Sequence, residues 1–384
     1  MADSPDMARI RQDSAGSVPG PPLAALIPAA GLSSRMRGYK PLLPLGKTTL
    51  IETVIALFQG VGIRDILVVT GHNHDRLAPV VENSGARVVY NPAYETGMFS
   101  SIRAGVAALS TEIQGFFLLP ADIPAVRPAT LIRLMATFEN QPDRVAVPVF
   151  SGEPGHPPLI TASLIPVIIG AGPDANLRKI LFSDLEKVQQ VWVPDQGILL
   201  DADTPEAYEM IKTKFRTLDI PNGAECMEIL NQALGAFPDI RDHSVRVAAV
   251  AGRLWQALAC PDLNPELIRA GALLHDIRRR ESDHALAARD FLSAWGFPKV
   301  GEIVAVHTDH PVLDGPLEES EIVFLADKLC CGSRLEPDVE QRFNQKMKEF
   351  PHAQKEIRQR LDTVRHIQAR IEALAGRSVR DILG

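Results

Sequence analysis

Between residues 23 and 215, short apolar runs alternate with longer stretches in which apolar residues recur at helical spacing. The apolar runs predict β-strands at 23–28, 65–70, 87–90, 115–120, 144–149 and 191–193. The amphipathic stretches predict helices at 50–59, 98–109 and 128–138. Strands that alternate with helices of this length form a mostly parallel sheet covered on both faces, with ligands bound where the strands end. This half therefore predicts a three-layer α/β domain.

The second half has a different pattern, with helical periodicity and few β-rich runs. It predicts helices at 224–234, 242–258, 265–277, 284–295, 300–307 and 320–330, and a long polar helix after Pro351. Asp242 and Asn264 are residue types that cap helix N-termini, and Pro265 suits a first helical turn. This half therefore predicts an all-α domain.

At 384 residues the chain is longer than one hydrophobic core usually organises, which favours two or three domains. We predict a flexible tail at 1–22, an α/β domain at 23–215, a linker at 216–222 and an all-α domain at 223–384. A hydrophobic fraction of 46% with 23% charged residues is that of a globular protein.

Charge and hydropathy restrict the partners. A formal net charge of -7 does not attract a phosphate backbone, so no nucleic-acid partner is expected. No apolar run approaches the ~18 residues of a membrane-spanning helix, and the N-terminal residues lack the apolar stretch of a signal peptide. The four cysteines form no C-x-x-C pair and suit a reducing compartment as free thiols. We therefore predict a cytoplasmic protein with no membrane partner.

A loop of small and polar residues follows the first predicted strand: Ala29, Ala30, Gly31, Ser33 and Ser34. Small side chains let backbone N–H groups approach a triphosphate, and the serine hydroxyls add donors. Arg35 and Lys40 supply positive charge for phosphates. The later Gly46-Lys47-Thr48 does not complete a P-loop, because Pro41 or Leu42 stands where that motif needs its first glycine.

Acidic residues stand where two of the predicted strands end. Asp122 follows the apolar run 115–120, and Asp201 and Asp203 form a second acidic segment. Each one taken singly is typical of a loop or a helix cap. A carboxylate at a strand end can also hold a Mg²⁺ that bridges nucleotide phosphates.

Together, residues 28–43 and the blocks at 91–105, 120–124, 155–157 and 201–205 resemble the MobA-like NTP transferases. The resemblance is strongest to the molybdenum cofactor cytidylyltransferases, and it covers about residues 23–215. It implies a Rossmann-like three-layer nucleotidyltransferase fold, with an NTP and Mg²⁺ bound at the strand ends.

The resemblance also implies roles for single residues. These roles are triphosphate binding by Ala29, Ala30, Gly31, Ser33, Arg35 and Lys40, nucleotide contact by Ser100 and Ser101, Mg²⁺ binding by Asp122 with Asp201 or Asp203, and acceptor binding by Gly155, His156 and Pro157. Lys40, Arg35 and Asp122 are then catalytic as well, because they neutralise charge in the transition state.

The Ala-Ala-Gly form of the loop resembles the CTP-using members, whereas Pro28 and Arg37 depart from the family pattern. The expected reaction is attack by a phosphorylated acceptor, molybdopterin, on the α-phosphorus of the NTP with release of pyrophosphate. Two alternatives stay open. The acceptor is a phospho-sugar or phospho-alcohol, since one fold serves several substrates, or this half is a non-catalytic nucleotide-sensing module that assists the maturation of a molybdoenzyme.

Histidines and aspartates recur along the predicted helices of the second half: His243, His275, Asp276, His284, His307, His310 and Asp327. His275 and Asp276 close the apolar run 268–274, where metal-capable side chains are costly unless they are paired or ligated. Imidazoles with carboxylates and no thiolate favour Fe, Mn or another divalent ion over a structural Zn²⁺.

This pattern resembles the HD phosphohydrolase superfamily over about residues 224–335, and in particular a two-metal subgroup that includes the bacterial dinucleoside tetraphosphatases. The resemblance implies first-metal binding by His243, His275, Asp276 and Asp327, second-metal binding by His284 and His307, and a bridging, catalytic Asp276. His310, three residues beyond His307, is an alternative ligand or a supporting group. The implied activity is metal-dependent hydrolysis of a phosphate ester or anhydride.

Overall fold

The computed structural model describes residues 22–31, 38–172, 175–258, 260–332, 334–336 and 338–384. Residues 1–21 of the predicted tail, and the predicted loop residues Ser33, Ser34 and Arg35, lie outside this set. The chain divides into two compact units, the first ending at Leu218 and the second beginning at Asp219.

The first unit alternates strands with helices, as the hydrophobic pattern predicts. Its strands are β1 (Leu23–Pro28), β2 (Pro44–Leu45), β3 (Thr48–Thr49), β4 (Asp65–Thr70), β5 (Arg87–Tyr90), β6 (Gly115–Leu118), β7 (Val145–Phe150), β8 (Glu153–Pro154), β9 (Leu159–Thr161) and β10 (Val188–Trp192). Its α-helices are α1 (Leu50–Gly60), α2 (His74–Asn83), α3 (Met98–Ala107), α4 (Pro128–Asn140), α5 (Ile165–Gly170), α6 (Leu177–Leu181) and α7 (Pro205–Arg216).

One large sheet organises this unit, in the order β10-β7-β9-β6-β1-β4-β5, with β8 paired to β7. Central β1 runs parallel to β4 and β6, and places Ala25 opposite Ile66 and Phe117. Only β8 and β9 pair antiparallel within the described part of this sheet. The carboxyl ends of β1, β4 and β6 therefore meet at one edge, where ligands of α/β sheets bind.

Helices cover both faces of this sheet. Phe116 and Phe117 are adjacent on β6 and fully buried, and their side chains point to opposite faces. Phe116 packs in a cluster with Ile102 and Val106 of α3. Phe117 packs against Phe58 of α1, with ring centroids 5.6 Å apart. The three-layer α/β architecture predicted from the sequence is therefore the observed one.

The second unit is mostly helical. Its helices are α8 (Gly223–Leu234), α9 (Pro238–Leu258), α10 (Pro265–Leu274), α11 (His284–Ala294), α12 (Pro298–Ala305), α13 (Glu319–Lys328), α14 (Val339–Glu349), α15 (Gln354–Ala375) and α16 (Val379–Leu383). A short hairpin joins two strands of two residues each, β11 (Cys330–Cys331) and β12 (Arg334–Leu335). The sequence pattern did not predict this hairpin.

One predicted helix cap is confirmed and the other is wrong. The Asn264 side chain accepts hydrogen bonds from the N–H groups of Glu266 and Leu267, and so caps α10. Asp242 lies inside α9, because that helix begins one turn earlier at Pro238. Proline is tolerated in a first helical turn, where its missing N–H leaves no bond unmade.

Apolar side chains of α9, α10, α13 and α15 form one core in the second unit. The long α15, predicted as a polar helix, contributes Ile357, Leu361, Val364, Ile367 and Ile371 to this core. No helix in the described residues combines the length and the apolar character that crossing a bilayer requires.

Candidate active sites

A lysine and two aspartates meet at the carboxyl edge of the first unit's sheet. Lys40 Nζ lies 3.3 Å from Asp122 Oδ2 and 2.5 Å from Asp203 Oδ1. Asp122 follows β6, Lys40 opens a short 3-10 turn, and Asp203 precedes α7. These segments are distant in sequence, so the fold itself assembles the cluster.

Backbone hydrogen bonds position the acidic segment. The Ala202 N–H donates to the Asp122 carbonyl at 2.9 Å, which holds this segment against the end of β6. The Asp203 N–H donates to Asp201 Oδ1 at 3.3 Å and turns the Asp201 side chain back on its own segment. Of the two, Asp203 is the one that contacts Lys40.

The charges of this cluster suit a divalent cation. Burial alone lowers the pKa of Lys40, but Asp203 and Asp122 outweigh burial and raise that pKa. Burial, Asp203 and Asp122 all raise the pKa of Asp201. Three carboxylates against one ammonium leave an excess of negative charge, and carboxylate oxygens are the ligands that Mg²⁺ prefers. The donor set therefore fits the expected ion.

The small-residue loop begins beside this cluster. The Ala29 N–H donates to the Val69 carbonyl at 2.9 Å, and the Tyr39 hydroxyl donates to the Ala29 carbonyl at 3.1 Å. Burial raises the pKa of Tyr39 to about 12, so its hydroxyl stays a donor. Gly31 is exposed, and a Cβ there would meet nothing within 4 Å. A ligand can therefore approach the Gly31 backbone.

Ser100 and Ser101 lie at the start of α3 and are tied to one amide. Asn91 Nδ2 donates to Ser100 Oγ at 2.9 Å and to Ser101 Oγ at 3.0 Å. Ser101 is 3% exposed, whereas Ser100 is partly exposed. Ser100 is therefore the more accessible of the two predicted nucleotide contacts.

The predicted acceptor segment lies beside the turn that leads to Asp201. The His156 N–H donates to the Ile198 carbonyl at 2.9 Å. A Cβ on Gly155 would lie 2.6 Å from that same carbonyl oxygen, so this approach requires glycine. The peptide bond between His156 and Pro157 is cis. His156 Nδ1 is buried with no hydrogen-bond partner in the described residues, and burial lowers the pKa of this imidazole.

A buried ion pair that sequence reasoning missed supports the acidic segment. Arg127 Nη1 lies 2.9 Å from Asp195 Oδ1, and their side chains are 3% and 1% exposed. Asp195 also accepts from the N–H groups of Arg127 and Gly197, at 2.8 and 3.0 Å. These bonds fix the start of α4 to the turn that leads to Asp201. The available signal was an aspartate that follows Val193 and Pro194, just beyond the end of β10.

In the second unit, two histidines and two aspartates converge. His243 on α9 places Nε2 3.0 Å from Asp327 Oδ1 on α13 and 4.0 Å from Asp276 Oδ2. His275, directly after α10, places Nε2 3.5 Å from each of these two oxygens. All four predicted first-metal ligands are therefore brought together.

The other oxygen of Asp276 faces a second pair of histidines. Asp276 Oδ1 lies 3.6 Å from His284 Nε2 and 3.4 Å from His307 Nε2. Asp276 thus belongs to two groups, one with His243 and His275 and one with His284 and His307, and the ligand atoms within each group lie within 4.8 Å of one another. A shared carboxylate between two imidazole pairs has the geometry of a bridging ligand.

Backbone carbonyls orient three of these imidazoles. Nδ1 of His243, His275 and His307 lies 2.9, 2.8 and 2.6 Å from the carbonyls of Gly332, Ala272 and Val304 respectively. A carbonyl only accepts, so each Nδ1 carries a proton, and Nε2 is the ring nitrogen that faces the centre and is left to bind a metal. His275 Nε2 is buried and makes no hydrogen bond within the described residues, as expected of an atom that binds a metal.

Ionisation states also suit a metal. Burial alone raises the pKa of Asp276 and Asp327, but neighbouring imidazoles and cations outweigh it and hold both pKa values well below the usual range. Burial lowers the pKa of His284 and His307, which favours the neutral imidazole. For His275 the charges of Asp276 and Asp327 outweigh burial and raise the pKa, so a metal that binds this imidazole has to displace its proton. Ionised carboxylates and neutral imidazoles are the forms that bind metals.

His310 lies outside this arrangement. Its Nδ1 contacts the Pro311 carbonyl at 2.6 Å and its Nε2 contacts Ser320 Oγ at 2.9 Å. Both ring nitrogens are therefore engaged elsewhere, and we leave His310 out of the ligand set. The reason is that α12 ends at Ala305, so His307 and His310 do not share a helix face.

Two family models match the chain. The MobA-like NTP transferase domain matches residues 25–188, and the HD domain matches residues 240–331. The molybdenum cofactor cytidylyltransferase of Escherichia coli K12 is 31% identical over 192 residues, which cover 50% of this chain and 95% of the relative.

Two other proteins resemble the first unit. The nicotine blue oxidoreductase of Paenarthrobacter nicotinovorans is 28% identical over 52% of this chain and 97% of its own length. A nucleotidyl transferase of solved structure from Methanothermobacter has a TM-score of 0.45 at 25% identity, over 51% of this chain and 98% of its own. From the family models and the Escherichia coli relative, the chain belongs to the MobA-like NTP transferase family, and it joins a nucleotidyltransferase domain to an HD metal-dependent phosphohydrolase domain.

Proposed function

We propose that the first unit transfers a nucleotidyl group from an NTP, preferably CTP, to a phosphorylated small-molecule acceptor and releases pyrophosphate. The observation that carries this proposal is the contact of Lys40 with Asp122 and Asp203 at the edge where β1 and β6 end. A cation and paired carboxylates at one strand edge are what binding of a metal–triphosphate requires.

Each residue of the cluster has a distinct task in this reaction. Asp122 and Asp203 would hold Mg²⁺, with Asp201 beside them, and Lys40 would neutralise phosphate charge. The proposed triphosphate contacts are the backbone of Ala29, Ala30 and Gly31 and, from the resemblance alone, Ser33 and Arg35. A bound Mg²⁺ would add charge stabilisation of the transition state.

The transfer step is a displacement at phosphorus. An oxygen of the acceptor phosphate bonds to the α-phosphorus, the bond from that phosphorus to the pyrophosphate oxygen breaks, and pyrophosphate leaves with the electron pair. Positioning and charge neutralisation by the chain supply most of the catalysis. The neutral His156 imidazole, with the buried Nδ1 unpartnered in the described residues, offers a hydrogen bond to the acceptor.

We propose molybdopterin as the acceptor, in a pathway that delivers its cofactor to a molybdoenzyme partner. The support is the name and the 31% identity of the Escherichia coli relative, 95% of whose length is covered. The Ala-Ala-Gly form of the loop supports CTP as the donor.

Pyrophosphate release in the presence of acceptor and Mg²⁺ tests the transferase. We expect CTP to be preferred over GTP, ATP and UTP with molybdopterin, and phospho-sugar acceptors to be inactive. Asp122→Asn is expected to lower kcat by at least about 100-fold, because it removes a ligand of the ion that stabilises the transition state.

Asp143→Asn is the matched control, because Asp143 is exposed and distant in sequence from the cluster. Tight nucleotide binding without pyrophosphate release would instead support a nucleotide-sensing module. Turnover with a phospho-sugar and none with molybdopterin would overturn the proposed acceptor.

We propose that the second unit is a two-metal phosphohydrolase. The observation that carries this proposal is that Asp276 is shared between two imidazole pairs. His243, His275 and Asp327 complete one site, and His284 and His307 complete the other.

Imidazole and carboxylate ligands without thiolate favour Fe or Mn. The ions would supply activation of water and neutralisation of the phosphate charge. Asp276 and the imidazoles would hold the ions, and the phosphate would bind in the cavity beside them.

Metal analysis of the purified protein, with hydrolysis of p-nitrophenyl phosphate as the activity readout, tests the hydrolase. His275→Ala is expected to lower bound Fe or Mn and to abolish hydrolysis, because it removes a buried ligand. His352→Ala, at an exposed position, is the control and is expected to change neither quantity. Full activity in His275→Ala would contradict the proposed centre.

A further inference from the structure

The metal centre of the second unit opens into a cavity of about 870 Å³. Positively charged side chains line this cavity: Arg279, Lys328, Arg342, Lys346 and Arg360. Arg279 and Lys328 lie beside the proposed ligands Asp276 and Asp327. Arg342 and Lys346 lie on α14 and Arg360 lies on α15, beyond the residues that the HD family model matches.

Three of these cations have a carboxylate partner in the described residues. Lys328 Nζ lies 2.7 Å from Asp327 Oδ2, and Arg279 Nη1 lies 3.2 Å from Asp276 Oδ1. Arg360 forms a two-bond ion pair with Asp309. Their charge is therefore already balanced within the chain.

The two cations of α14 are different. Arg342 Nη1 donates to the carbonyls of Lys328 and Cys330, at 3.0 and 2.6 Å, and has no carboxylate partner within the described residues. Lys346 is exposed to the cavity and forms no ion pair with a described carboxylate. Burial and the charges of Arg342 and Lys328 lower the pKa of Lys346, and the opposing charge of Asp327 does not offset them.

Arg342 and Lys346 therefore place two positive charges in the cavity with no ion-pair partner among the described carboxylates, and a bound anion would relieve the repulsion between them. We propose that Lys346 and Arg342 form a subsite for a second phosphate group, adjacent to the phosphate that is hydrolysed at the metal centre. The substrate class is then an organic phosphate that carries at least two phosphate groups. This inference rests on the hydrolase activity proposed above.

The remaining lining suits the organic part of such a substrate. Ile240, Phe343 and Leu286 place apolar surface in the same cavity, and Leu286 is 46% exposed. Cavities of this size usually hold one small molecule that combines apolar contact with a few charged anchors. The subsite therefore distinguishes a bisphosphate from a monophosphate with the same organic group.

Inhibition of p-nitrophenyl phosphate hydrolysis by AMP and by ADP tests the subsite, at one fixed concentration of free Mn²⁺. The two inhibitors share adenosine and differ by one phosphate. In the unaltered protein we expect ADP to inhibit at a lower concentration than AMP. Lys346→Met is expected to raise the inhibition constant of ADP about tenfold, because the loss of one charge-assisted hydrogen bond weakens binding by about that factor. It is expected to change the constant of AMP and the KM of p-nitrophenyl phosphate less than twofold.

Lys348→Met is the matched control, because Lys348 is exposed on the same helix and does not line the cavity. Lys346→Arg keeps the charge and should restore ADP inhibition. If Lys346→Met still hydrolyses p-nitrophenyl phosphate and the ratio of the ADP and AMP inhibition constants is unchanged, the subsite proposal is wrong. The hydrolase proposal is not affected by that result. Absence of any hydrolysis overturns the hydrolase instead. In that case calorimetric titration of ADP into protein carrying Lys40→Met, which weakens the transferase site, decides whether Lys346 binds the second phosphate.

Discussion

Two adjacent cysteines show how much a single position changes the chemistry of a side chain. Cys330 and Cys331 form one strand of the hairpin β11–β12, so their side chains point to opposite faces. Cys330 is fully buried and Cys331 is exposed. Burial and the nearby charge of Asp327 raise the pKa of the Cys330 thiol to about 12.

We predict that iodoacetamide at pH 8 modifies Cys331 and leaves Cys330 intact. A thiol is protonated below its pKa, so only about one Cys330 in ten thousand is a thiolate at pH 8, and the thiolate is the reactive form. Fragment mass spectrometry of the alkylated peptide assigns the modified residue. The same reaction in denaturant supplies the control, since both thiols should then react. Equal modification of both in the folded protein would contradict the burial of Cys330.

The histidines show what the sequence can and cannot predict at the residue scale. His275 and Asp276 stand out because an apolar run leads directly to them, and the structure places both in the cluster. The choice between His307 and His310 depends on where α12 ends, and helix ends are poorly defined by periodicity alone. The interaction of His310 with Ser320 is a tertiary contact, which no local pattern records.

At the scale of elements, α3 packs unusually close to the sheet of the first unit. A Cβ on Gly105 would lie 2.3 Å from Leu26 Cδ1 and 2.7 Å from Val69 Cγ2. Glycine at this position therefore lets α3 approach β1 and β4. Ser100 and Ser101 begin the same helix, so this packing also positions the predicted nucleotide contacts.

Gly105→Ala is expected to destabilise the first unit by about 1–3 kcal/mol, because the added methyl group has no space between the helix and the sheet. Gly60→Ala is the matched control, since a Cβ at the exposed end of α1 would meet nothing within 4 Å. It is expected to be neutral or to stabilise by up to about 1 kcal/mol. Unfolding in urea, followed by hydrogen-exchange mass spectrometry, gives an unfolding midpoint for the peptides of each unit. Equal unfolding midpoints for the two variants would show that α3 is not closely packed.

Buried elements were predictable and polar or short ones were not. Strands β1, β4 and β5 have the predicted bounds, because each is a compact run rich in Val, Ile or Leu between turn residues. Helix α2 was missed because it is mostly polar and contains Pro79, and α7 was missed because only Ile211 and Lys214 are buried on it. Strand β9 has three residues, too few for a period to be recognised.

At the scale of the whole molecule, each unit has its own apolar core. The clusters of the first unit draw on residues between Ala24 and Phe215, and the cluster of the second unit draws on residues between Val247 and Leu383. The described residues of each candidate site likewise belong to one unit. The division between Leu218 and Asp219 therefore falls between these apolar clusters and between the two candidate sites.

We predict that chains 22–218 and 219–384, expressed separately, each fold. The first is expected to keep nucleotide-dependent release of pyrophosphate, and the second to keep bound metal and phosphate hydrolysis, because the described residues of each candidate site belong to a single unit. Hydrogen-exchange protection in each piece, compared with the full chain, is the measurement. Loss of protection in either piece would show that its core depends on the other unit.

The contact of Lys40 with Asp122 and Asp203 makes this lysine the resident counter-ion of the carboxylates. A divalent ion that binds the same oxygens competes with Lys40, which weakens its apparent affinity when no nucleotide is present. A triphosphate offers the displaced ammonium a new partner, so nucleotide and metal should bind with positive cooperativity. Calorimetric titration of Mg²⁺ with and without CTP measures this coupling, and Lys40→Met is expected to abolish it. In that exchange of partners, Lys40 would keep the affinity for the metal low until the nucleotide binds.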